Sequence, residues 1–167
     1  GLMGQAKRDE GDHTEAETLL REAVRLGPDD PVQVGRLVDL LLARARMDLD
    51  NQDALRTEAR EMLDHTIAGE RPAGDAYLLL STLVRESEGE LERSAWLLKK
   101  ARKLTERGTD RHRRVQIEAA LQQMATGQLE QAEHALRERC QRDPSDHRGF
   151  AALGMVLEAR EMFVPAH

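Results

Sequence analysis

The stretch GQLEQAEHALRERCQRDP, residues 127–144, decides the fold. A turn-forming glycine opens it, a proline closes it, and small and large apolar residues recur between them at helical spacing. The stretch GDHTEAETLLREAVRLGP, residues 11–28, has the same length and pattern. The shared positions are Gly11, Ala16, Leu20, Ala23 and Pro28 in the earlier stretch and Gly127, Ala132, Leu136, Arg139 and Pro144 in the later one. Such recurrence indicates a repeat architecture.

The rest of the chain reads as helices separated by short turns. A weaker third copy of the pattern comprises Gly89, Ser94, Leu98 and Ala101. Two longer helices are predicted at Arg36–Arg46 and Ala54–Ile67, joined across Met47–Asp53. A further break is predicted at Gly11–Asp12, where Asp12 and Glu15 have the spacing of a capping box. Counting every break predicts about nine helices and no strands.

These residues resemble the tetratricopeptide repeat family, whose unit is a helix pair of about 34 residues. The resemblance implies that Ala16 and Ala132 allow close helix approach while Leu20 and Leu136 fill the gap. Leu153–Gly154, with Phe150 before it, is similar to the opening helix of a unit. The implied fold is all-α: a right-handed superhelix of about four and a half antiparallel helix pairs, forming a single domain over 1–167. A related solenoid of helical hairpins is the alternative.

Composition limits the function further. The chain has 167 residues, a net charge of −6 and one cysteine, Cys140, which allows no intrachain disulfide and favours a cytoplasmic location. No apolar run is long enough to cross a bilayer, so we expect no membrane insertion. The segment also resembles a piece cut from a longer protein.

No catalytic motif is found. The chain lacks a phosphate-binding glycine loop, a nucleophile elbow and two histidines four residues apart, so we predict a non-enzymatic protein with no cofactor and no metal. Asp143, Asp146 and His147 cluster, but a capping role for Ser145 or Asp146 explains the turn better. Arginines around Cys140 favour a lowered thiol pKa, although a buried structural thiol is the stronger interpretation.

A basic run is the main alternative site. It consists of Lys99, Lys100, Arg102, Lys103, Arg107, Arg111, Arg113 and Arg114. No aromatic residue interleaves these cations to stack a base, so we predict no nucleic-acid partner and assign the run to a solvated outer face.

The resemblance implies that the opening helices line a concave groove for a protein or peptide partner. Leu83, Leu121, Met124 and Met155 are the predicted apolar anchors, although the leucines fit a core position equally well. The predicted edge residues, which orient acidic groups of the partner, are Arg114 and Arg148. Self-association through exposed solenoid ends, or service as an accessory domain of an enzyme, is the alternative function.

Overall fold

The computed structural model describes residues 2–70, 73–86 and 90–163, with side chains described from Thr14 onward and not for residue 163. Within these ranges the chain is all-helical and contains no strand, which confirms the predicted all-α class. The helices are α1 (Leu2–Leu26), α2 (Pro31–Met47), α3 (Gln52–Ile67), α4 (Gly74–Glu86), α5 (Leu91–Lys103), α6 (Asp110–Ala125), α7 (Leu129–Arg142) and α8 (His147–Phe163). They form two compact units, Gly1–Leu79 and Leu80–His167.

Several helix ends lie where the sequence placed them. α1 ends at Leu26, before Gly27–Pro28, because proline cannot continue a helix. Asp30 then caps α2, its Oδ1 accepting from Val32 N at 2.9 Å. The long α2 and α3 and the short link between them confirm the two lengthened helices predicted there.

The break predicted at Gly11–Asp12 is wrong. α1 runs unbroken for 25 residues, so the described ranges contain eight helices, one fewer than expected. A lone glycine inside a helix costs only about 1 kcal/mol, which the helix-forming neighbours of Gly11 offset. The side chain of Asp12 lies outside the described residues, as does the whole of Gly89.

In the first unit, α2 packs against both α1 and α3. Its core includes Leu41 of α2 and Leu63 of α3, which are fully buried. Ala16 and Leu20 of α1 are only half-buried. The prediction placed them between an opening helix and its partner, but residues 2–26 form one continuous helix, so these two residues do not separate two helices of one pair.

In the second unit, α6 packs against α5, α7 and α8. Gly127 makes the turn between α6 and α7 with a φ of 83°, a backbone conformation that glycine adopts without steric cost. Ala132 and Leu136 of α7 are 0% and 1% exposed, as the repeat pattern predicted. Helix α6 is therefore the centre of this unit.

Candidate partner-binding surface

One side of α6 is apolar and packs against α7 and α8. Its residues Ile117, Ala120 and Leu121 join a buried cluster with Ala132, Leu136, Ala152 and Val156. Met124 and Leu153 are partly buried against the same cluster. Two of the predicted anchors, Leu121 and Met124, thus lie where α6 meets α8, with Leu121 mostly inside the core.

The opposite side of α6 is polar and faces α4. Glu118 Oε1 accepts a hydrogen bond from Arg85 Nε at 2.5 Å, and its Oε2 accepts one from Thr82 Oγ1 at 3.0 Å. Glu118 is only 4% exposed. Burial raises the pKa of the Glu118 carboxyl, against the opposing effect of Arg85. No sequence pattern predicted this ion pair, because a glutamate within a charged helix usually faces solvent.

Two serines form the contact where α4 crosses α5. Ser81 Oγ donates to Ser94 O at 2.9 Å, and Ser94 Oγ donates to Ser81 O at 2.7 Å. Gln122 Nε2 of α6 donates to both hydroxyls, at 3.0 Å and 2.8 Å. Both serines are fully buried. Ser94 therefore occupies the small-residue position that the third repeat copy predicted, and every polar atom named here has a partner.

This crossing fixes the register of α4. Thr82 and Arg85 point toward α6, while Leu83 is buried at 2% exposure. Leu83 was predicted as a groove anchor, and the structure places its side chain in the core. Among the predicted anchors, the one that is well exposed is Met155, at 46%.

The outer face of α8 is exposed and combines apolar residues with Glu158 and Glu161. Phe150, Met155 and Met162 are exposed there, while Ala152 and Val156 on the opposite face are buried. Of the two predicted edge residues, Arg114 is half-buried. Arg148 donates from Nη2 to Asp110 Oδ1 at 2.5 Å, and this bond lowers the pKa of Asp110. The apolar residues of this surface, which we call the α8 face, are Phe150, Ala151, Gly154, Met155 and Met162.

The basic run spans the end of α5, the connection after it and the start of α6. Lys99, Arg102 and Lys103 are exposed, as predicted. The structure corrects one point: an aromatic residue does accompany these cations. Trp96, 51% exposed, lies one turn earlier on α5, with Lys100 Nζ 5.3 Å from its ring centroid.

The residues considered for reactive chemistry have structural contacts. Cys140 is buried, and burial together with Asp146 raises its thiol pKa, so the lowered value suggested by its arginine neighbours is wrong. Asp146 Oδ1 accepts from Gly149 N at 3.4 Å and so caps α8. Asp143 Oδ1 accepts from Ser145 Oγ at 2.7 Å. No group of three potential metal ligands occurs among the residues that the structure describes.

Over the same described part of the chain, no helix combines the length and the apolar character that a membrane span requires. No family model, curated protein or solved structure matches this chain.

Proposed function

We propose that this chain is a non-enzymatic, tetratricopeptide-like interaction module whose α6–α8 surface binds an extended or helical segment of another protein. The observation that carries the proposal is the α8 face. Exposed apolar side chains that are grouped on one part of a surface are typical of an interaction site. In this structure α8 buries Ala152 and Val156 and exposes Phe150, Met155 and Met162.

The packing of α6 supports a solenoid. Helix α6 contacts both the helix that follows it and the next but one, as stacked helix pairs require. Such stacking presents opening helices side by side, so Met124 and Arg114 of α6 would extend the surface formed by Met155 and Arg148 of α8. A cytoplasmic location belongs to the same proposal, since the lone Cys140 forms no intrachain disulfide.

The experiment compares capture of partner proteins by matched surface variants. Immobilised wild-type chain, Met155→Asp and a triple Lys99, Lys100 and Lys103→Glu variant are exposed to the same extract, and bound proteins are quantified. We expect Met155→Asp to lose the specific partner, since removing one buried anchor costs about 2 kcal/mol or more of binding free energy. The triple variant should keep it, with altered salt dependence.

The opposite pattern would refute the assignment. If the triple variant loses the partner while Met155→Asp keeps it, the basic run with Trp96 carries the binding and the α6–α8 surface does not. Met155, Lys99 and Lys103 are exposed and Lys100 is half-buried, so circular dichroism should show unchanged helicity in both variants.

A further inference from the structure

The same ion pairs occur in two places, 116 residues apart. In the first unit, Glu17 pairs with Arg21 of its own helix and with Arg44 of α2. In the second unit, Glu133 pairs with Arg137 of its own helix and with Arg160 of α8. Repetition of a three-residue contact at one constant offset shows that the α1–α2 pair is built like the α7–α8 pair. Helix α1 therefore corresponds to α7, and α2 corresponds to α8.

The two pairs differ in what covers them. In the second unit α6 lies over α7 and α8 and buries Leu136 and Val156 almost completely. Their counterparts at the same offset, Leu20 and Leu40, are only half-buried. A cleft of about 470 Å³ opens between α1 and α2, with Leu40, Ala43 and Met47 among its lining residues. This α1–α2 cleft is at the position that α6 occupies in the α7–α8 pair.

The α8 face has exposed small and apolar residues at three of the positions by which α6 contacts its apolar cluster, while Glu158 corresponds to Met124. Three residues of α6, Ile117, Ala120 and Leu121, enter the apolar cluster. One repeat of 34 residues later the chain has Ala151, Gly154 and Met155, all of them exposed. A Cβ placed on Gly154 would meet nothing within 4 Å, so the position of closest helix approach is open.

A compensating exchange supports the match. Arg139 Nη1 of α7 donates to Gln116 Oε1 of α6 at 3.3 Å. At the same offsets, α1 carries Ala23 and α8 carries Phe150. The polar pair Arg139–Gln116 of the α6–α7 contact thus corresponds to the apolar pair Ala23 and Phe150. If α8 packed against α1 in the same way, Phe150, exposed at 49%, would gain an apolar neighbour.

We infer that α8 of one copy packs into the α1–α2 cleft of a second copy, where it completes the helix layer that α6 completes in the second unit. This rests on the proposed function, because it names one occupant of the α8 face. The two surfaces differ, so the contact is heterologous and produces a ring or an open chain of copies.

The test uses two complementary variants of the full chain. Gly154→Trp blocks the α8 face, and Ala43→Glu, at an exposed position, blocks the cleft. Sedimentation velocity should show concentration-dependent oligomers for the wild type and monomers for each variant alone. A mixture of the two should form a 1:1 dimer and nothing larger, since each variant keeps one working surface. Leu104→Glu, on an exposed residue outside both surfaces, is the matched control and should oligomerise like the wild type.

Three results would overturn the inference. These are a wild-type chain that stays monomeric at its highest soluble concentration, a mixture that forms no dimer, and oligomers that resist Ala43→Glu but are lost in Gly154→Trp. The last would assign a symmetric contact between two α8 faces. Capture of a separate partner by Ala43→Glu, whose α8 face is intact, shows that the proposed function holds even where this inference fails.

Discussion

Helix α6 has two sides that pack in different ways. Toward α7 and α8 it contributes mainly apolar side chains, such as Ala120 and Leu121, and one hydrogen bond through Gln116 to Arg139. Toward α4 and α5 it contributes Glu118 and Gln122, whose partners are Arg85 and the two buried serines. Apolar packing tolerates small shifts, whereas a buried hydrogen bond or ion pair is strong only at one geometry.

The polar side of α6 provides the structural specificity of this unit. Burying the Glu118–Arg85 pair removes two charges from water, and that cost offsets much of their attraction. We therefore assign the polar side the role of fixing the register of α4, and the apolar side most of the free energy of folding. Four variants test this division of roles between the two sides.

The largest effect is expected from Arg85→Ala. It leaves the Glu118 carboxylate buried without its cation, which costs about 3–5 kcal/mol of unfolding free energy. Urea denaturation followed by circular dichroism measures the loss. The control is the double variant Arg85→Met with Glu118→Leu, which should be close to wild type. A double variant as unstable as Arg85→Ala would contradict the assigned role of the polar side.

On the apolar side, Ala132→Phe should cost about 1–3 kcal/mol, because the added ring overpacks a fully buried position. Ala135→Phe, one turn away at an exposed position of the same helix, should change stability by less than about 0.5 kcal/mol. Equal melting temperatures for the two variants would argue against the register assigned to α7.

A smaller loss, about 1 kcal/mol, is expected for Ser94→Ala. The change removes one hydroxyl that bonds both Ser81 and Gln122, although the smaller side chain keeps the close approach of α4 and α5. Ser94→Val adds bulk at the same point and should be the less stable of the two by thermal unfolding. If Ser94→Ala is less stable than Ser94→Val, the close packing of α4 and α5 at this point does not determine their crossing.

The smallest effect concerns pH. The pKa of Glu118 is raised by burial, so the folded chain binds a proton there more tightly than the unfolded chain does. Its contribution to stability is therefore present below its ordinary pKa of 4.5 and is lost as pH rises through the raised value. In Glu118→Gln this contribution should vanish, leaving the other carboxylates to set the slope of stability against pH. Identical slopes for both proteins would mean that Glu118 titrates as if exposed.

The apolar side of α6 was predictable, and the polar side was not. Ala132 and Leu136 follow from a repeated spacing, because helix periodicity places them on one face. Glu118 and Arg85 are 33 residues apart, and no local pattern connects them. Only the packing of α4 on α6 makes these two charges neighbours.

Leu83 shows the same limit of local patterns. A leucine on the apolar side of a repeat helix fits a groove and a core equally well, and only the packing of α4 decides between them. The structure buries Leu83 at 2% exposure. Similarly, the continuity of α1 through Gly11 depends on a balance of small local energies that a glycine alone does not decide.

The fluorescence of Trp96 reports on the surroundings of α5 and on little else in the chain. It is the one tryptophan in the sequence, half of its surface is already in water, and the Lys100 amine lies over its ring. Unfolding exposes only the remaining half of this indole, so its fluorescence reports loss of the core less strongly than that of a buried tryptophan would. A ligand that covers α5 would shift the emission to the blue, whereas one bound to the α8 face would leave it unchanged. One emission spectrum therefore distinguishes the two surfaces before any residue is substituted.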